Sequence, residues 1–267
     1  MKTSGKVAIV TGASMGIGRA IAIILADAGY DIVCADVAAL DETTEAVRSR
    51  GRQALAVATD ISDAQAVAQM VEQTMNLFGR IDVLINNAGG PLAGVRTIMP
   101  NSQEEFFDVM SQYVFENVTE TDFATIFSVN FYGHVNCIKT VLPIMKEQGS
   151  GNIINITSKA GMMKYGVVPG MIAYGSAKAA LTRFTEVLAF ELICSGSPVR
   201  INALSPGMVA VSYHEKLSDE EKAMFRKPED IGMSLLKILD EANLATGETF
   251  TEDYTTWHEE LSSPTRQ

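Results

Sequence analysis

The feature that most constrains this chain is its rhythm, in which short apolar runs are separated by longer segments of helical period. VAIVT (7–11) precedes a helical pattern over 16–29, DIVCAD (31–36) precedes 41–50, ALAVAT (54–59) precedes 63–78, and VLIN (83–86) closes the first half. Strands too apolar to face water on either side must be covered on both, so the alternation predicts βαβ units and a parallel sheet. It continues with a helix near 119–147, NIINIT (152–157), a helix over 173–195, RINALS (200–205), a helix near 228–242 and a short strand near 247–250. No linker or repeat interrupts it. The expected fold is therefore α/β, one domain over 1–267, doubly wound, with about seven parallel strands and helices on both faces.

Two segments fall outside the rhythm. The connection 91–117 is long for a βα crossover, and within it Ser102 and Glu105 form an S-x-x-E cap ahead of Phe106, Phe107, Val109 and Met110, which predicts an inserted helix. The tail over about 252–267 is polar and aperiodic, which reads as solvated chain, with a clamp on a neighbouring subunit as the other reading.

Composition narrows the partners. With 47% hydrophobic residues the chain can build a core, and 32 acidic against 21 basic residues leave a formal charge of −11. That charge repels polyanions, so neither nucleic acid nor an anionic membrane is expected as a partner. Cys34, Cys137 and Cys194 are far apart and form no C-x-x-C pair, as suits a reducing cytoplasm. The three histidines are scattered, so no metal site is expected. No apolar run approaches the ~18 residues of a membrane span.

Gly12, Ser14, Met15, Gly16, Ile17 and Gly18 lie in TGASMGIG (11–18), a glycine-rich turn between the first strand and the first helix. Unsatisfied N–H groups and the positive end of the helix dipole favour a pyrophosphate there, as in a Rossmann dinucleotide site. Asp36 closes the second strand, where its carboxylate can take both ribose hydroxyls of an adenosine and would repel a 2′-phosphate. Met15 and Val37 supply no compensating positive charge, so NAD is favoured over NADP. Asp60-Ile61 ends the third strand and Asn86-Asn87-Ala88-Gly89 the fourth, gathering polar groups at the carboxyl edge where open α/β sheets bind ligands.

Tyr174 and Lys178 stand four apart in YGSAK at the start of a helix, so they share a face. Ser158 follows NIINIT at the same sheet edge. A phenol near pKa 10 is a weak base at neutral pH, but an ammonium at ~4 Å interacts with it by about 4 kcal/mol at an effective dielectric of ~20. The expectation is that Lys178 lowers Tyr174 towards neutrality, making it base for alcohol oxidation and acid for ketone reduction. Asn130 lies in phase with Phe123, Ile126, Phe127 and Val141 on the core stripe of its helix, so its amide needs partners. His134, one turn on, reads as a satisfied core histidine.

Together these residues resemble the short-chain dehydrogenase/reductase family in its shorter, classical form, over roughly 5–250. The motifs are TGASMGIG (11–18), NNAG (86–89), Ser158, YGSAK (174–178) and PG (206–207). The resemblance implies that Ser158, Tyr174, Lys178 and Asn130 form a catalytic tetrad, with Asn130 holding a water that links Lys178 to solvent. It implies that Lys178 and Tyr174 meet the nicotinamide ribose and that Asp60 and Ile61 hold adenine. Asn87, Ala88 and Gly89 would lie beside the nucleotide, Pro206 and Gly207 would border it, and Val209 would contact the carboxamide. A homotetramer or dimer is implied as well.

The chain departs from the family pattern in four places. Ser158 and Tyr174 are sixteen apart, wider than usual, and 91–117 is some twenty residues longer than in common members. Val211, with Ser212 next, stands where a threonine is usual after the PG motif. The Asp-Gly-Gly after the last strand is replaced by FTEDYTTWHEE.

The first functional reading is an NAD-dependent oxidoreductase acting on a secondary alcohol or its ketone. Met162, Met163, Val167, Val168 and Met208 are expected to line its pocket, suiting a substrate with an apolar part. Reduction of 3-oxoacyl groups on an acyl carrier protein is the alternative within the class. An acidic carrier wants a basic landing patch, which −11 and the NAD preference weigh against. A dinucleotide-binding regulator without turnover is the alternative of another class, disfavoured by the intact Tyr-Lys-Ser-Asn set.

Overall fold

A computed structural model describes residues 5–94, 103–162, 169–209 and 225–251. The expected Ser102 cap, Met163, Val167, Val168, Val211, Ser212 and the tail 252–267 lie outside these residues.

The strands are β1 (Val7–Thr11), β2 (Asp31–Asp36), β3 (Ala54–Ala58), β4 (Val83–Asn86), β5 (Gly151–Ile156), β6 (Val199–Ser205) and β7 (Thr249–Thr251). They form one seven-stranded sheet in the order β3-β2-β1-β4-β5-β6-β7, with every pairing parallel. Among the described residues the α-helices are α1 (Gly16–Asp27), α2 (Asp41–Arg48), α3 (Ala64–Phe78), α4 (Gln103–Ser111), α5 (Glu120–Phe127), α6 (His134–Gln148), α7 (Ile172–Cys194) and α8 (Pro228–Leu239). This is the doubly wound Rossmann architecture expected from the alternation.

Side-chain alternation along the strands divides the core into two layers. Ala8, Val10, Ile32, Cys34 and Ile85 face α1 and α8, packing on Ile21, Leu25, Ile231 and Leu235. Val7, Ile9, Val33 and Leu84 point the other way, onto Met70 and Phe78 of α3, Val141 of α6 and Leu192 of α7. All five residues of β1 are buried, whereas β3, at the edge, alternates towards solvent. The sheet order reverses between β1 and β4, which opens a crevice at their carboxyl ends.

One expectation is corrected here. The pattern over 119–147 predicts one unbroken helix, but α5 and α6 are joined by a π-helical turn, Ser128–Gly133. Both flanks have regular helical periodicity, so the hydrophobic pattern cannot reveal the extra residue in the turn. The inserted helix does form, as α4.

Leu84 is fully buried in the central strand β4. Leu84→Ala is expected to lower unfolding free energy by about 2–5 kcal/mol, read as a lower urea midpoint with unchanged slope.

Candidate active site

At the β1 end the glycines make the backbone approach possible. Gly12 has φ +67°, and a Cβ there would stand 2.8 Å from the Ala88 Cα. A Cβ on Gly18 would overlap the Gly12 carbonyl oxygen, so the turn folds directly over the first turn of α1. Gly16 also has positive φ, yet the space beside it is open. Met15 precedes α1 in extended conformation without any side-chain cap, leaving the first N–H groups of the helix to other partners. This uncapped, glycine-rich turn fits a pyrophosphate.

Thr11, which the motif reading did not single out, organises the junction. Its Oγ1 accepts from the backbone N–H of Asn87 at 3.0 Å and of Ala88 at 3.1 Å. In return Asn87 Nδ2 donates to the carbonyls of Thr11 at 2.9 Å and Gly12 at 3.2 Å. Only tertiary pairing of β1 with β4 brings these groups together.

Asp36 reaches back to the same turn. Its Oδ2 accepts from Ser14 N at 3.0 Å and its Oδ1 from Ala38 N at 3.1 Å, leaving lone pairs on both oxygens. Arg19, the nearby cation on α1, is already engaged, with Nε on Thr43 Oγ1 and Nη2 on Glu42. Met15 and Val37 flank the opening and are exposed. Asp60 accepts from Ser62 N and Oγ in a tight turn. Ile61 beside it is buried and lies so close to Gly133 that a Cβ on that glycine would come within 2.6 Å of Ile61 Cγ1.

Asn130 sits fully buried in the π turn. Its Nδ2 donates to the Ile126 carbonyl at 2.8 Å, four residues back, where a regular α-helix would have used the Asn130 backbone N–H. The same Nδ2 donates to Gly90 O at 3.0 Å while Oδ1 accepts from Gly90 N at 2.9 Å. Both amide hydrogens are thus used. Gly89, at φ +146°, lies where a Cβ would be 2.5 Å from Asn130 Oδ1 and 3.6 Å from Lys178 Nζ.

Ser158, Tyr174 and Lys178 come together despite the wide sequence separation. The turn Lys159–Gly161 lies flat on α7, since a Cβ on Gly161 would be 2.5 Å from Ala179 N and one on Gly175 would be 2.9 Å from Ala160 O. Ser158 is hydrogen-bonded to the Tyr174 phenol and also accepts from Ala160 N at 3.1 Å. Lys178 is buried, donates to Ile156 O at 2.8 Å, and holds its Nζ 5.9 Å from the centre of the Tyr174 ring.

The expected ionisation of Tyr174 is corrected by these surroundings. Burial raises the phenol above its ordinary 10, and the Ser158 hydrogen bond opposes it without prevailing. Burial also brings Lys178 down from 10.5 to about 7. Lowering the phenol would take a fixed positive charge, but the amine is itself desolvated and only partly protonated at neutral pH.

Pro206 is buried, Gly207 has φ +70°, and Val209 is buried and bridges to Arg226. Met208 is more than half exposed at this edge, whereas Met162 is half-buried. Among the described residues no group of three or more His, Cys, Asp or Glu is placed to hold a metal ion. Nor is any described helix long and apolar enough to cross a membrane.

His134 is fully buried, and its Nε2 donates to the Ala88 carbonyl at 2.8 Å, so the ring pins the loop that Thr11 and Asn130 hold from other sides. Its Nδ1 finds no partner among the described residues. Burial, and secondarily the nearby Lys178, depress its pKa from 6.5 to about 3.

Comparison with known proteins follows the same lines. The family model described as short chain dehydrogenase matches residues 6–222. A 3-oxoacyl-[acyl-carrier-protein] reductase of Synechocystis sp. is 33% identical over 94% of this chain and 96% of its own length. One from Staphylococcus aureus is 33% identical over 91% of this chain and 95% of its own. Among solved structures, NAD+-bound xylitol dehydrogenase superposes with a TM-score of 0.76 at 27% identity, covering 94% of this chain and 98% of that one.

The depressed pKa of His134 gives an acid-stability prediction. The folded ring stays neutral to about pH 3 while the unfolded ring takes a proton near 6.5, so the unfolded state binds more protons in between. The contribution is full above pH 6.5 and is lost as pH falls through that window. Urea unfolding at pH 7 and pH 4.5 should show a smaller loss of stability on acidification in His134→Gln, which keeps a donor but cannot titrate.

Proposed function

Because the chain belongs to the short-chain dehydrogenase/reductase family, and is an oxidoreductase of that family, we propose that it moves a hydride between NAD(H) and a secondary alcohol or ketone, as a soluble cytoplasmic enzyme with one domain over 1–267. The observation that carries this reading is the meeting of Ser158, Tyr174 and Lys178 at the sheet edge that also bears the glycine turn. A bound nicotinamide dinucleotide supplies or receives the hydride. Gly12, Ser14, Met15, Gly16, Ile17 and Gly18 would cradle its pyrophosphate, and Asp36 its adenosine ribose. Asp60, Ile61, Asn87, Ala88 and Gly89 would flank the adenosine, with Pro206, Gly207 and Val209 at the nicotinamide end.

Each of the four proposed catalytic residues has a distinct task. Ser158 donates to the substrate oxygen and orients it. Tyr174 is a protonated phenol at neutral pH, because burial raises its pKa, and is therefore set to give a proton to a ketone oxygen as the alcohol forms. Lys178, with a pKa brought to about 7, can return that proton and touch the ribose. Asn130 spends both amide hydrogens on backbone carbonyls, so the lone pair left on Oδ1 is what it can offer a relay water.

Two observations bear on the cofactor and the alternative substrate. Asp36 lies beside the glycine turn with lone pairs left on both oxygens, and Arg19 is held by Thr43 and Glu42, which supports NAD over NADP. The curated relatives named 3-oxoacyl-[acyl-carrier-protein] reductases support a second reading, ketone reduction on an acyl carrier. On α7, Val187, Phe190 and Ile193 form an exposed apolar stripe, which supports assembly as a homotetramer or dimer.

A panel of secondary alcohols with NAD+, and of simple ketones and acetoacetyl thioesters with NADH, tests the activity. Tyr174→Phe should cut turnover by ~10²–10⁴-fold and leave NADH affinity nearly unchanged; full activity in that variant removes the phenol from the chemistry. Wild type should prefer NAD(H), and Asp36→Ala should narrow that preference. A wild-type preference for NADP(H) would show that the carboxylate does not select. Nucleotide binding without turnover of any substrate would favour a regulator.

A further inference from the structure

Beyond the two main layers of the core, a third small cluster joins parts of the chain that the proposed chemistry needs close together. Leu92, Val109 and Met110 are buried against one another, with Phe106, Tyr113 and Met171 packed around them. Leu92 follows Gly90, the partner of Asn130, by two residues. Met171 precedes Tyr174 by three. Val109 and Met110 belong to α4, the helix of the unusually long connection after β4. The insertion therefore bridges the segment beside Asn130 and the start of the Tyr174 helix.

The contact is made by backbone as well as side chains. Gly170 has φ +87°, and a Cβ there would overlap the Met110 carbonyl oxygen. Immediately after this contact, the Met171 carbonyl accepts from Gly175 N at 2.7 Å, within the turn that carries Tyr174. On the other flank Gly94, at φ +83°, fits where a Cβ would be 2.7 Å from Thr125 Cγ2 of α5. Leu92 and Met110 are almost wholly shielded from solvent, at 3% and 0% exposure, so they cannot form an open wall for a substrate. Their burial can instead fix the position of whatever rests on them.

We propose that α4 is a positioning element for the reaction, in which Met110, seated against Gly170 and Met171, sets where the Tyr174 phenol stands relative to the substrate oxygen. The inference rests on the catalytic role given to Tyr174 above. Its physical basis is that proton transfer requires a heavy-atom approach of about 2.6–3.2 Å, so a small drift of the α7 start costs turnover without weakening cofactor binding at the distant glycine turn. Met110 and Met171 are positioning residues, since neither is placed against the reacting atoms.

The test compares Met110→Ala, Met110→Leu and Val109→Ala in the full-length protein, using NADH and the ketone that the wild type reduces fastest. Met110→Ala opens a cavity at the contact, Met110→Leu conserves volume, and Val109→Ala is the milder change that still folds if Met110→Ala does not. The expected result is a fall in kcat of about tenfold for Met110→Ala, or a smaller fall for Val109→Ala, with NADH Kd within about twofold and Met110→Leu near wild type. A second readout needs no turnover. The tyrosinate absorbance titration of each variant, after subtracting the same background carrying Tyr174→Phe, should show the Tyr174 midpoint moving down towards 10 as the loosened start of α7 admits water. Unchanged kcat and an unchanged Tyr174 midpoint in variants with lowered melting temperature would overturn the proposal, as would parallel losses of kcat and NADH affinity. If the wild type turns over neither alcohol nor ketone, the catalytic reading fails, while the titration still decides whether α4 positions Tyr174.

Discussion

The arrangement depends on one close approach, that of the Gly12 turn at the end of β1 to the Ala88–Gly90 segment at the end of β4. These strands are neighbours because the sheet order reverses between them. The contact tolerates no Cβ at Gly12, and it is held by Thr11 Oγ1, by Asn87 Nδ2, by the ring of His134 and by the amide of Asn130. A loop end held from four directions would lose little further freedom on binding the proposed nucleotide, and its Gly89–Gly90 side borders Asn130 and Lys178.

Such a junction buries much polarity. Asn86 Nδ2 donates to Asn155 Oδ1, and Asn155 Nδ2 donates to Thr185 Oγ1 on α7, so β4 and β5 are tied through side chains as well as through the ladder. Buried amides are costly unless paired, and when paired they admit few alternative arrangements. The π turn belongs to the same economy. By releasing one backbone bond of the helix, it lets Asn130 use its side chain on Ile126 and still reach Gly90.

Burial has a second effect, on proton affinities. Lys178 and His134 are buried and Tyr174 is partly so, and desolvation moves each towards its neutral form. With the phenol raised and the amine lowered to about 7, the proton rests on Tyr174, and a protonated Lys178 can restore it downhill once it has been given away. The motif spacing of four residues makes the pair possible. The packing of Lys159–Gly161 against α7 helps to decide how dry the pair is, and hence which member holds the proton.

Much of this was legible in the chain alone. The alternation of apolar runs with helical periods determined the parallel sheet, because strands covered on both sides and helices covered on one carry distinct periodicities. The glycine turn, NNAG, Ser158 and YGSAK determined which residues cluster at the sheet edge, because the ends of parallel strands all emerge on one side. Tertiary structure alone decided that Thr11 and His134 pin the β4 loop, that a π turn interrupts the helix at Asn130, that Gly170 meets Met110, and that Tyr174 rises in pKa instead of falling. Those facts depend on distances between residues far apart in sequence and on how fully they are shielded from water, and neither quantity is carried by local pattern.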